Sequence, residues 1–305
     1  MSNKPVVVYG ASGYTGRLIC EYLREYNVPF TAAGRDEGKL TASMEKNVAG
    51  IETADYEVVQ VDHDVDSLTE LFRGSSVVLN TVGPFIKFGD TVVQASLNAG
   101  AHYSDTNGEQ DWMIHCDDTF HQQYADAGLL LAPGIAHMYT TGEIAAQIAL
   151  ETPGLDTLDI AVFWGGSPTI ASTRTILVNA AGGDAFYLEQ NEYTSFDPMQ
   201  GLVPLVVPGQ HELAQSLPWG GTSHPVWFKR DPRVANCKAQ GGVFNAALMN
   251  NVPVIVADAL EATKDMSPED RADALDAARR ASAVRWSVAS TRKLRRIVSD
   301  TLSGG

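Results

Sequence analysis

The stretch VVVYGASGYTGR, Val6 to Arg17, decides the fold of the N-terminal half. A short apolar run ends at Gly10, and glycines recur at Gly13 and Gly16 as a helical pattern begins. The spacing is GxxGxxG rather than GxGxxG, so its context has to carry the reading. Gly10 suits a sharp turn off a strand, Gly13 lets a pyrophosphate approach the backbone, and Gly16 lets the helix pack closely on the strand. The helix start offers free amides to an anion. Ser12, Tyr14 and Thr15 can add hydroxyl or stacking contacts. A bare strand-to-helix turn is the alternative, and the context disfavours it.

Working outward, short apolar segments alternate with helical patterns through residue 135. Strands are expected at Val6–Tyr9, Phe30–Ala33, Val58–Val61, Val77–Asn80, His102–Ser104 and Leu129–Leu131. Helices are expected between them at Gly13–Tyr26, Glu37–Val48, Asp66–Phe72, Asp90–Ala99 and Gln110–Ala127. That alternation predicts an α/β protein, a Rossmann-like doubly wound parallel sheet over 1–135, with ligands outside the carboxyl ends of its strands. Past Pro133 the texture changes: a helix over Gly142–Glu151, a strand over Asp159–Trp164, a mostly helical Thr173–Gln190, then strands and long loops from Asp197 to Asp231. Residues 136–266 are therefore expected to form a mixed α/β domain for substrate and dimerisation. Ser267 and Pro268 then open a C-terminal helix, 267–305, expected to pack back on the body.

The end of the second strand, where an adenosine ribose is read, carries TAAGRDEGKL. Arg35, with Lys39 one helical turn on, suits the 2′-phosphate of NADP(H). Asp36 could face a ribose diol, which leaves NAD(H) open, and Arg35 could be a solvated residue at a helix start. Asp62 ends the third strand, where an acceptor for the adenine amino group is expected. Asp62 or Asp64 could equally cap the next helix.

The most specific segment is VVLNTVGPFIKFGDTVVQASLNAGAHYSDTNGE, Val77 to Glu109. With GASGYTG and AAGRDEGKL it resembles the saccharopine dehydrogenase-like superfamily, which includes trans-acting enoyl reductases. The matching elements are VLNTVGPF, Gly89 before a helix, AGAHYSD and the closing GE, all within residues 1–140; beyond LAPGIAHM the chain departs from the pattern. The resemblance implies a cofactor-binding oxidoreductase fold and says little of the substrate. It also implies that Thr81, Val82, Gly83, Pro84 and Phe85 run beside the nicotinamide ribose, with a rigid turn as the alternative.

Several chemistries lack their signatures. None of the ten tyrosines has a lysine four residues on, there is no GxSxG elbow, and the seven histidines form no HExxH. The three cysteines are far apart with no CxxC pair, so neither a metal site nor a disulfide is expected. Hydride transfer needs a placed nicotinamide and one proton donor or acceptor. Candidates after the later strands are Tyr139 and His137 first, then Tyr103 and Asp105; for each, a structural role is the alternative.

The formal net charge is −15, which argues against nucleic acid or an anionic membrane as partner. No signal peptide or membrane span is read, so a cytoplasmic protein, as a homodimer, is expected. Between Lys87 and Lys229 there is one cation, Arg174, alongside Phe163, Trp164, Phe186, Tyr187, Trp219 and Trp227. A polycarboxylate would recruit Arg or Lys clamps. The expectation is an NADP(H)-dependent oxidoreductase that reduces an activated C=C or C=N bond of an apolar small molecule with at most one charge. Arg174 and Trp164 are its expected substrate contacts. The rivals are a saccharopine-type amino-acid dehydrogenase, a non-catalytic NADP-binding redox sensor, and a non-redox isomerase on the same fold. The basic C-terminal segment, Arg279 to Arg296, is more simply a solvated or paired face than a docking site.

Overall fold

The computed structural model describes residues 4–165, 185–197, 201–218, 222–267, 270 and 274. The chain divides into two compact units, Met1–Ala136 and His137–Gly305. In the first, strands β1 (Val6–Tyr9), β2 (Phe30–Gly34), β3 (Tyr56–Gln60), β4 (Val77–Asn80), β5 (His102–Asp105) and β6 (Leu131–Ala132) form one sheet in the order β3-β2-β1-β4-β5-β6. Every pairing is parallel. Helices α1 (Tyr14–Glu25), α2 (Glu37–Asn47), α3 (Val65–Phe72), α4 (Phe85–Ala99) and α5 (Gln110–Asp126) connect them. This is the doubly wound, Rossmann-like sheet expected from the sequence, and its strand order reverses between β1 and β4, where such sheets bind ligands.

The all-apolar β1 follows from its central position. Side chains alternate sides along a strand, and helices cover both faces here. Val7 and Tyr9 enter a core with Val78, Tyr103 and Trp112, while Val6 and Val8 enter another with Phe30, Leu40 and Met44. Helix α4 begins at Phe85, five residues before the expected start at Asp90, because Pro84 sets its entry at the N-cap. Gly89 therefore lies inside α4 rather than before it. A Cβ there would stand 2.3 Å from the Trp112 ring, so the glycine lets α4 and α5 close on each other.

The second unit contains α6 (His137–Ala149), β7 (Thr157–Trp164), β8 (Phe186–Glu189), β9 (Glu192–Ser195), β10 (Val203–Leu205), β11 (Ala214–Ser216), α7 (His224–Phe228), β12 (Asn236–Val243) and α8 (Ala246–Thr263). Its mixed sheet runs β7-β12-β8-β9, with β12 parallel to β7 and antiparallel to β8. Leu158, Ile160, Leu188, Cys237 and Ala239 from the strands pack with Ala146, Leu150 and Phe228.

Three sequence expectations change here. Helix α6 starts at His137, not Gly142. Phe186–Glu189 is a strand, not the end of a helix, since Gln190 (φ 51°) and Asn191 (φ 60°) both take the left-handed conformation of a two-residue hairpin. The stretch expected to hold only strands and loops contains the short helix α7. Residues 173–184 of the expected helix, Arg174 and Trp219, and nearly all of the C-terminal segment 267–305 lie outside the described residues.

Cys20, Cys116 and Cys237 are free and buried. Burial pushes the Cys20 and Cys237 thiols up to about 12 and Cys116 further up, so none is a ready nucleophile. Among the described residues, no cluster of three or more His, Cys, Asp or Glu could hold a metal. Among them, too, no helix is long and apolar enough to cross a membrane.

Candidate functional site

The glycine loop leaves β1 through Gly10, whose φ of +89° is left-handed. A Cβ on Gly10 would stand 2.7 Å from Thr81 Oγ1 and 2.8 Å from Val82 Cγ2. The turn therefore fits only without a side chain. Gly16 faces the turn from inside α1, where a Cβ would stand 2.5 Å from the Gly10 carbonyl oxygen and 2.7 Å from Ala11 Cα. Gly13 differs: it is exposed at the N-cap of α1 in an extended conformation, and no side chain caps the helix there. Its Cβ would meet only the Gly10 carbonyl oxygen, at 3.3 Å. Ser12 is half-buried, and Tyr14 and Thr15 are exposed beside this helix end. The result is an uncovered helix N-terminus, which favours an anion.

After β2 and β3, two acids are taken up as helix caps. Asp36 caps α2 by accepting the Lys39 amide at 2.8 Å, and Asp64 caps α3 by accepting the Ser67 amide at 2.8 Å. Asp62 takes no part in either cap and is exposed. Arg35 and Lys39 are exposed, and neither side chain forms an ion pair among the described residues. A pair that no local pattern links to Arg35 lies beside it. Tyr9 Oη and His63 Nδ1 share a 2.8 Å hydrogen bond, with their rings stacked at 5.9 Å. Burial, then the Arg35 charge, hold the His63 pKa below its ordinary value, while burial pushes Tyr9 up to about 12. His63 Nε2 is enclosed, with no hydrogen-bond partner among the described residues. Two cations without an ion-pair partner among the described residues leave room for one further anion here.

The loop after β4 is fixed at its near end. The Thr81 amide and hydroxyl both donate to the Tyr9 carbonyl, at 2.9 and 3.0 Å, and Asn80 Oδ1 accepts the Val82 amide at 2.9 Å. Of the five residues expected to flank the cofactor, Gly83 is exposed and Thr81, Val82 and Pro84 are half-buried. Phe85 is instead a core residue.

Asp105, at the end of β5, is buried and accepts five hydrogen bonds. Its Oδ1 takes the Asn107 amide (3.1 Å), Asn107 Nδ2 (2.6 Å) and the Gly134 amide (2.8 Å). Its Oδ2 takes the Tyr103 hydroxyl (2.8 Å) and Trp112 Nε1 (2.9 Å). Asn80 Nδ2 donates to the same Tyr103 oxygen at 3.1 Å. Burial and the Asp105 charge drive the Tyr103 phenol far above its usual range. Both residues thus tie the loops after β4, β5 and β6 together.

In the second unit, His137 is exposed at the start of α6 and Trp164 is half-buried at the end of β7. Tyr139 is buried, its ring edge-on to His224 and Trp227. The Tyr139 carbonyl lies 2.8 Å from His224 Nε2. A carbonyl only accepts, so this nitrogen carries the proton, and burial drives the His224 pKa down to about 4. Gly142 makes room for this imidazole, since a Cβ there would stand 2.5 Å from His224 Nε2. The structure thus gathers the expected cofactor residues at the strand ends of the first unit, and sets Tyr139 within the packing of the second.

Comparison with known proteins matches two families, one to each part of the chain. A family described as saccharopine dehydrogenase NADP binding domain matches residues 6–130. A family of unknown function, DUF5938, matches residues 140–301. A lipid droplet localized protein of Caenorhabditis elegans is 36% identical over 137 residues, covering 42% of this chain and 32% of that protein. A trans-acting enoyl reductase of Mycobacterium ulcerans is 28% identical over 204 residues, covering 62% and 48%. A human saccharopine dehydrogenase-like oxidoreductase is 32% identical over 139 residues, covering 41% and 32%. The chain thus spans about a third to a half of the length of these curated relatives. Among solved structures, a Saccharomyces cerevisiae saccharopine dehydrogenase (L-Glu forming) superposes with a TM-score of 0.52 at 13% identity, over 78% of this chain and 55% of that one, which shows a shared fold. The glycine loop, the unpaired Arg35 and the two family matches agree: the chain belongs to the DUF5938 family and carries a saccharopine dehydrogenase NADP-binding domain at residues 6–130.

Proposed function

We propose that this protein is an NADP(H)-dependent oxidoreductase that reduces an activated C=C or C=N bond in an apolar small molecule bearing at most one charge. The observation that carries the cofactor half is Arg35, exposed just after β2 with no acidic partner among the described residues, while Asp36 and Asp64 are used as helix caps. The uncovered start of α1 receives the pyrophosphate, Arg35 and Lys39 the 2′-phosphate, and Asp62 the adenine. Bound NADPH supplies a hydride; the chain has to bind, orient and provide one proton. With Tyr103, Asp105 and Tyr139 built into packing, His137 is the exposed candidate for that proton.

The substrate half of the reading rests on how three described cations of the second unit are used. Lys229 pairs with Glu192 and Arg233 with Asp231, while Lys238 lies 4.4 Å from the Tyr187 ring centroid. These are local partners, not a clamp for several carboxylates, which favours an apolar substrate over a saccharopine-type dicarboxylate. The enoyl reductase name of one relative and the lipid-droplet name of another fit the same preference. Fluorescence imaging of a tagged chain sets a lipid surface against the cytoplasm.

The decisive experiment is a fluorescence titration with NADPH and NADH on the wild type and Arg35→Ala. Loss of a charge-assisted phosphate contact predicts that Arg35→Ala weakens NADPH roughly 10- to 100-fold and leaves NADH nearly unchanged. Equal binding of both cofactors, indifferent to Arg35, would overturn the NADP(H) reading. Deuteride transfer from labelled NADPH to enones, imines or amino dicarboxylates then separates the reductase from a sensor or an isomerase.

A further inference from the structure

We infer that Glu109 is a positioning residue for the nicotinamide half of the cofactor, acting through the loop Gly83–Pro84. The inference rests on the NADP(H) reading above. Helix α4 begins after Pro84, whose side chain cannot cap it, so its first amides need an acceptor from elsewhere. Glu109 supplies it from 24 residues further on. Its Oε1 accepts the Phe85 amide at 3.2 Å and its Oε2 accepts the Ile86 amide at 3.0 Å. The carboxylate is itself buried, and its negative charge faces the positive end of α4.

Glu109 is not held by its own helix alone. Its amide donates to Asn107 Oδ1 at 2.8 Å, and Asn107 in turn is fixed by its amide and its Nδ2 to Asp105 Oδ1. A continuous chain of hydrogen bonds therefore runs from the end of β5 through Asp105, Asn107 and Glu109 to the start of α4. Gly83–Pro84 is pinned on one side by Thr81 and Val82, which bond to Tyr9 and Asn80, and on the other by Glu109.

Topology says which part of a dinucleotide this loop meets. β2 and β3 lie on one side of β1, and β4 and β5 on the other. A cofactor whose 2′-phosphate meets Arg35 at the end of β2, and whose pyrophosphate meets the loop after β1, extends its nicotinamide towards β4. The adenosine end is held by Arg35, Lys39 and Asp62, none of which belongs to the Asp105–Asn107–Glu109 chain. Releasing Glu109 should therefore disturb one half of the cofactor site and spare the other.

The test compares NADPH with 2′,5′-ADP, which carries the adenosine half alone, on the wild type, Glu109→Ala and Glu109→Gln. Freeing two charge-assisted contacts predicts that Glu109→Ala raises the NADPH Kd about tenfold or more while the 2′,5′-ADP Kd stays within about twofold. Glu109→Gln keeps one acceptor oxygen and should fall between wild type and Glu109→Ala for NADPH alone. It also carries the comparison if Glu109→Ala fails to fold. Parallel weakening of both ligands, or no change in either, overturns the positioning role. A wild type that binds neither ligand overturns the NADP(H) reading first, a distinct result.

Discussion

Replacing Gly13 and Gly16 by alanine, one at a time, separates cofactor binding from folding within one loop. At Gly16 the added Cβ would stand 2.5 Å from a backbone oxygen and 2.7 Å from a backbone Cα. Neither atom can rotate away, so α1 has to move by about an ångström relative to the turn, at an overpacking cost of about 1–3 kcal/mol. The better helix propensity of alanine returns up to about 1 kcal/mol of that. At Gly13, with φ −74° and ψ 169°, any residue fits the backbone, and the only neighbour is one carbonyl oxygen at 3.3 Å. The stability cost there is the ordinary preference for glycine over alanine at an N-cap, about 0.5–1 kcal/mol. Its methyl group nevertheless sits against the uncovered start of α1, where a pyrophosphate would need to approach. Urea unfolding and NADPH fluorescence titration on both variants read the two effects apart. Gly13→Ala should unfold nearly as the wild type yet bind NADPH at least about tenfold more weakly, a loss of about 1.4 kcal/mol. Unchanged NADPH affinity in Gly13→Ala would refute a pyrophosphate seat at this loop. Unchanged stability in Gly16→Ala would refute the close helix contact.

Two further outcomes follow from buried polar groups. Asp105→Asn turns an NH2 towards donors that Oδ2 now accepts; the Tyr103 hydroxyl can reverse, but Trp112 Nε1 cannot, so a loss of about 2–4 kcal/mol is expected in urea unfolding with an unchanged m value. His224 tests the sign of a pH effect: its folded pKa is depressed to about 4, so as pH falls below 6.5 the unfolded chain binds the proton first. The stability it contributes is complete above pH 6.5 and is lost towards pH 4 at up to about 1.4 kcal/mol per unit. Between pH 7 and 5.5, where most carboxylates stay ionised, His224→Gln should flatten the wild-type slope. His63, held down by burial and Arg35, contributes in the same direction and leaves a smaller residual slope. An identical slope in wild type and variant would show that the buried imidazole is not held neutral.

What could be read from the residues, and what could not, divides by the range of the interactions involved. The glycine loop and Arg35 were legible because each lies within a few residues of a strand end, and a strand followed by a helix fixes where such residues point. The roles of Asp36 and Asp64 are local too, each accepting the amide three residues on, but an acid after a strand suits a ligand as well as a cap: a ribose is open for Asp36, and the cap of the next helix is open to Asp62 or Asp64. Tyr139 marks a different boundary. Its position after the sixth strand suggested chemistry, whereas its burial depends on His224 and Trp227, contacts across more than 80 residues. Helical spacing near Phe186 misled for a related reason: Gln190 and Asn191 reverse the chain, yet neither is the glycine that usually signals a left-handed turn. Glu109 is the instructive case. No local pattern links an acid to a helix that starts 24 residues earlier. The clue lies at the other end, in the Gly83–Pro84 entry to α4, which provides no Ser, Thr, Asp or Asn to cap the helix. A buried helix start that lacks its own cap requires an acceptor from elsewhere in the fold. In a sheet of this order, the loop after the adjacent strand is the nearest source, and Glu109 is the carboxylate that it brings.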